Sequence, residues 1–91
     1  GRIEDLVLVL RSVLEARRRV MVEVNVAPGD LERVVDILPC MREPTVSALH
    51  ASAGFAVKAA VPRDRLPVVL PAVRAAGGTD IVVSALAQIV P

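Results

Sequence analysis

The chain has 91 residues, 54% of them hydrophobic, with one Phe and no Trp or Tyr, so it makes one domain with a core of aliphatic side chains. Its formal net charge of +1, from 11 basic and 10 acidic residues, excludes the basic excess of a nucleic-acid-binding surface. The single cysteine, Cys40, excludes an internal disulfide and a zinc cluster built on cysteines.

Residues 3–17 read as a helix, because Ile3, Leu6, Val7, Leu10 and Leu14 recur at helical spacing. Leu8, Val9 and Val13 widen the apolar stripe beyond one face, so this helix calls for contacts on two sides. Glu4 and Asp5 stand in its first turn and Arg17, Arg18 and Arg19 at its end. The arginine run is either an anion patch or a helix end whose dipole favours cations.

Residues 19–27 alternate with period two, which is the pattern of a strand with one buried face. Val20, Val22, Val24 and Val26 point one way, and Met21, Glu23 and Asn25 the other. Pro28-Gly29-Asp30 ends the strand, with Asp30 as the expected cap of a short helix. Leu31, Val34, Val35 and Leu38 carry that helix up to Pro39. Residues 42–49 are read as extended, and His50 to Gly54 as a hairpin turn. A third strand follows, in which Phe55, Val57, Ala59 and Val61 alternate with Ala56, Lys58 and Ala60. Asp64 is the expected cap of a second short helix, on which Leu66, Val69, Leu70 and Val73 form the stripe. Pro71 is expected to kink it, and Gly77-Gly78 to stop it. A last strand carries Ile81, Val82 and Val83, and residues from Ser84 to Pro91 read as extended or irregular.

Strand, proline, aspartate and four-residue stripe occur twice, about 35 residues apart. Two β-α-β halves joined by a hairpin make a ferredoxin-like β-α-β-β-α-β split sandwich, an α+β fold with both helices on one face of an antiparallel sheet. An N-terminal connector helix, residues 1–18, precedes the fold proper, residues 19–91. The other sheet face carries Met21, Glu23, Asn25 and Lys58, and an apolar share this high suits self-association through that face. No stretch approaches the roughly 20 apolar residues of a membrane span. No signal peptide is visible, and a cytoplasmic location is expected. The chain begins with Gly1 rather than Met, as a fragment of a longer protein would.

Catalysis needs a nucleophile, an acid–base pair or a metal within mutual reach, and the sequence offers little of this. His50, the one histidine, is either a general base or ligand, or a solvated residue beside a turn. No glycine-rich phosphate cradle is present. Asp80 at the head of a strand either caps its turn or points at a ligand. The segment Leu38-Pro39-Cys40-Met41-Arg42-Glu43-Pro44-Thr45-Val46-Ser47 holds two prolines, and Pro44 fixes the backbone around Thr45. It is either a site for a small polar ligand such as a carboxylate, or a structural helix-to-strand bend. The chain by itself is expected to have no catalytic site.

Leu-Pro-x-Met-x-x-Pro-Thr-Val-Ser, from Leu38 to Ser47, followed by a strand ending in Ala60-Val61-Pro62, resembles the C-terminal regulatory domain of long-form ATP phosphoribosyltransferase. The resemblance runs from about Val20 to the end, through Val24-Asn25-Val26, Ile81-Val82-Val83 and Ile89-Val90-Pro91. It implies a PII- and ACT-like domain that binds L-histidine as feedback inhibitor of the first step of histidine biosynthesis, in hexamers whose effector sites lie between neighbouring domains. By position the effector contacts fall on Asn25, Met41, Thr45 and Asp80. Thr45 would hold the effector carboxylate, Met41 would pack on the imidazole, and Asn25 would face a polar end of histidine. No cofactor is implied for this domain, and magnesium belongs with the catalytic domains of such an enzyme. Asn25 stands where family members often carry Asp, Asp80 where they carry Gly or Ala, and Glu43 where they carry Ser. These departures keep two other readings in view: a structural module without an effector, and a sensor of another small ligand.

Overall fold

A computed structural model describes residues 1–39 and 43–90. Among the described residues seven α-helices and strands follow one another: α1 (Arg2–Arg18), β1 (Arg19–Val26), α2 (Leu31–Ile37), β2 (Thr45–Ala48), β3 (Phe55–Pro62), α3 (Leu66–Ala75) and β4 (Thr79–Ala85). The strands form one four-stranded sheet in the order β2-β3-β1-β4, and each neighbouring pair is antiparallel. This is the ferredoxin-like split sandwich with an added N-terminal helix.

The period-two valines of β1 dictate where the core lies. Val20, Val22, Val24 and Val26 are buried, and β3 presents Val57, Ala59 and Val61 beside them. Val34 from α2, Leu38 just past its end, and Val69 and Val73 from α3 complete the same apolar cluster. Both helices therefore cover one face of the sheet. Each buried branched aliphatic side chain contributes roughly 1.5–3 kcal/mol relative to exposure. No aromatic ring enters the fully buried set, and Phe55 packs against its edge.

The helix ends depart from the expected capping. Asp30 stands at the N-cap of α2 without a side-chain capping bond, and its carboxylate pairs with the Arg33 guanidinium instead. Asp64 is not the cap of α3. It lies in a 3-10 turn, Arg63–Arg65, and Arg65 takes the cap position. In both repeats a 3-10 turn precedes the helix; Asp30 ends its turn and keeps the N-cap position without the capping bond, whereas Asp64 lies one residue too early to cap. Helix α3 also runs unbroken through Pro71. The carbonyl that Pro71 leaves without a donor belongs to Pro67 in the first turn, and both residues are exposed, so water can serve it. The helix ends in a Schellman motif: Gly78 N–H donates to the Val73 carbonyl at 2.9 Å and Gly77 N–H to the Arg74 carbonyl at 3.1 Å. Gly77 is the residue that turns left-handed there, with φ 110°.

Helix α1 stands apart from this core. Only Ser12 and Ala16 are buried on it, and Ile3, Leu6, Leu8, Leu10 and Leu14 are exposed. Ser12 ties the C-terminal segment to the helix. Its hydroxyl donates to the Val9 carbonyl at 2.7 Å and accepts from Gln88 Nε2 at 3.2 Å. Its carbonyl accepts from the Ile89 N–H at 3.1 Å. Among the described residues no helix is long and apolar enough to cross a membrane.

Candidate functional site

The antiparallel register sets out the helix-free face of the sheet in two rows. One row is Thr45, Lys58, Glu23 and Val82; the next is Ser47, Ala56, Asn25 and Thr79. Between these side chains lies a shallow depression of about 310 Å³, lined among others by Asn25, Thr45 and Asp80. Three of the four residues expected to contact an effector are thus brought to one place. The fourth, Met41, lies outside the described residues.

Their separation has a consequence. Thr45 is on one edge strand and Asp80 on the other, three strand spacings away, which is about 14 Å. One free amino acid does not bridge that span. Asn25 and Asp80, by contrast, touch: Asn25 Nδ2 donates to Asp80 Oδ2 at 3.4 Å, and Thr79 Oγ1 donates to the Asn25 carbonyl at 3.2 Å.

Asp80 is held there by a β-bulge. Glu23 faces Val82 while Asn25 faces Thr79, so β4 carries one residue more than β1 across this step. Asp80 takes up the irregularity in the left-handed region, with φ 51°, which L side chains other than Asn and Asp seldom visit. The Asp80→Val variant is therefore expected to lose about 1–2 kcal/mol despite the usual preference of strands for valine. Asp80→Gly should stay within about 1 kcal/mol of the wild type. Urea unfolding of the two variants measures both.

Besides three valines, the lining takes in four residues that were not among the expected contacts: Glu23, Ser47, Ala56 and Lys58. Lys58 Nζ and Glu23 Oε1 form an ion pair at 3.5 Å across β1 and β3. Ala56, the smallest of the four, leaves the room between the two rows.

The other candidates resolve as follows. His50 is exposed at the start of the turn between β2 and β3. Arg17 and Arg18 occupy the last turn of α1. Arg19 Nε donates to Glu15 Oε1 at 2.7 Å, and Arg63 Nε caps the helix by donating to the Arg17 carbonyl at 3.1 Å. These four arginines line a cavity of about 490 Å³ with Glu15 and Asp64. Among the described residues no group of three or more His, Cys, Asp or Glu side chains could hold a metal ion.

Comparison with known proteins bears on this site. The family described as "HisG, C-terminal domain" matches residues 16–88. ATP phosphoribosyltransferase of Pelotomaculum thermopropionicum is 35% identical over 91 residues, covering 99% of this chain and 31% of that protein. ATP phosphoribosyltransferase of Nitratidesulfovibrio vulgaris is 34% identical over 90 residues, again 99% and 31%. That of Sulfurisphaera tokodaii is 35% identical over 89 residues, 98% and 31%. The chain spans about a third of the length of the curated relatives it matches. With the family match running from the end of α1 to beyond β4, on a sheet of the expected order, the chain belongs to the HisG C-terminal domain family.

Proposed function

We propose that the domain is the regulatory part of an ATP phosphoribosyltransferase and senses L-histidine, the feedback inhibitor of the first step of histidine biosynthesis. The observation that carries this reading is the meeting of Asn25, Thr45 and Asp80 around one depression. In this reading Thr45 holds the effector carboxylate at the β2 edge, and Asn25 and Asp80 offer acceptors at the other end. Because these ends lie too far apart for one ligand, the site is completed by a second copy docked on the free sheet face, as in a hexamer. Binding at such an interface shifts the balance between quaternary states by about 1–3 kcal/mol. The transfer reaction and its magnesium belong to the two thirds of the relatives outside the match, and the whole works in the cytoplasm without nucleic acid or membrane.

Isothermal titration of the purified domain with L-histidine, alongside light scattering, tests the reading. Saturable heat from an oligomer is expected, with D-histidine silent. Thr45→Ala should weaken binding by about tenfold or more, since it removes a hydrogen bond to a charged group, while thermal unfolding stays unchanged because Thr45 is exposed. A folded oligomer without heat would favour a structural module, for which the Asn25–Asp80 bond and the Glu23–Lys58 pair inside the depression speak.

A further inference from the structure

The depression has an ion pair in its floor that neither the resemblance nor the relatives assign to any role. Glu23 and Lys58 face each other in register on β1 and β3, 3.5 Å apart and each about half exposed. Thr45 is the direct partner of Lys58 on the other side. One row further along the strands, about 7 Å away, Ala56 provides open space next to Asn25. Charges and space are thus ordered: a cation beside a hydroxyl, an anion next to it, then a gap that leads to Asn25 and Asp80.

We propose that the Glu23–Lys58 pair receives the head group of a free α-amino acid. Lys58, with the Thr45 hydroxyl beside it, takes the carboxylate, and Glu23 takes the ammonium. The ligand side chain then lies over Ala56 towards Asn25, one strand short of Asp80. An α-amino acid carries its ammonium and its carboxylate on one and the same α-carbon, so the two charges are close enough together to lie antiparallel on an ion pair of this length. Each of the four charges then has opposite neighbours, and neither protein group is left unpaired. A ligand with one charge would leave Glu23 or Lys58 without that second neighbour. The pair is also open enough to serve, since half-exposed ion pairs hold each other only weakly in water. This inference rests on the reading of the site as an amino-acid sensor and adds the residues that read the head group.

The test titrates the purified chain with L-histidine, with L-histidinol, which lacks the carboxylate, and with imidazolepropionate, which lacks the ammonium. L-histidine is expected to bind at least about tenfold more tightly than either. Lys58→Met should weaken L-histidine about tenfold and erase its advantage over L-histidinol. Glu23→Gln should erase its advantage over imidazolepropionate. The swapped double variant E23K/K58E keeps an ion pair, so it should unfold like the wild type and still bind L-histidine poorly. If binding returns in the swapped variant, the pair is structural and the proposal falls. If Thr45→Ala weakens L-histidine binding while Lys58→Met and Glu23→Gln do not, the proposal falls and the histidine reading stands. If no amino acid binds the wild type, both fall.

Discussion

Replacing Gly54 by alanine is expected to lower the stability of the domain by about 3–4 kcal/mol, two mechanisms adding to one another. The first is backbone conformation. Gly54 closes the turn between β2 and β3 at φ 120°, where a side chain costs about 1–3 kcal/mol. The second is space. A Cβ built there would overlap the Val26 carbonyl oxygen at the end of β1, and backbone cannot step aside as a flexible side chain can. The turn cannot relax cheaply, because Leu49 N–H donates to the Gly54 carbonyl at 2.9 Å and so locks the hairpin. For a domain of this size the loss corresponds to a fall in Tm of about 15–25 °C. Gly29→Ala is the matched control. Nothing lies within 4 Å of a Cβ at that position, so its Tm should move by no more than a few degrees. Equal Tm values for the two variants would show that the Val26–Gly54 approach does not constrain the fold.

Val22→Asp is expected to leave no folded domain at neutral pH, whereas Met21→Asp, one residue away, should fold. Val22 is wholly buried at the centre of the sheet, where a carboxylate meets only aliphatic neighbours. The effective penalty for an unpaired buried ion is several kcal/mol. A chain this short has about 5–14 kcal/mol in total at ordinary stability per residue, and the lost valine packing subtracts further. Met21 faces the helix-free side beside Ala60 and Ser84 and is only half-buried. A carboxylate there keeps its water, at a cost within about 1 kcal/mol to the single domain. Far-ultraviolet circular dichroism of the pair reads the result directly. A folded Val22→Asp would mean that the two faces of β1 are assigned the wrong way round.

The alternation that separates these two residues is also why the fold was legible from the amino-acid pattern. Four valines at period two can only face one way on a strand. The repeated strand-proline-aspartate-stripe pattern then fixed the topology, and the observed sheet order follows it. The helix starts were less legible. Asp30 and Asp64 look like caps by residue type; Asp30 does take the N-cap position but makes no capping bond, and the 3-10 turn before α3 places Asp64 one residue early, a turn with little signature of its own. The pattern reads as extended over 42–49, whereas among the described residues β2 occupies only Thr45–Ala48, after Pro44. Pro71 stands inside a helix that continues past it, because the cost of a proline depends on whether water reaches the orphaned carbonyl, which is a matter of burial rather than of residue type.

For the site, Asn25, Thr45 and Asp80 came from a family pattern, and the structure gathers them round one depression. Glu23, Ser47, Ala56 and Lys58 were missed as its lining for a physical reason. Which side chain stands beside which across a sheet depends on register, and register is fixed by turn geometry and bulges. The bulge in β4, with Asp80 left-handed, changes the pairing step at the place where the site lies. A strand read singly carries no trace of that shift.

The same bulge governs how the sheet can grow. β4 is an edge strand, and Ile81-Val82-Val83 is the kind of short apolar run that adds strands from neighbouring molecules and seeds fibrils. An extra residue puts its outer hydrogen-bonding groups out of step, and a carboxylate stands at its head. The opposite edge, β2, is only four residues long and follows directly on Pro44, which has no N–H to donate. With one border out of register and the other cut short, copies of this domain are steered away from extending the sheet sideways. Face-to-face stacking, with a defined end to the assembly, is the association that the geometry leaves easy.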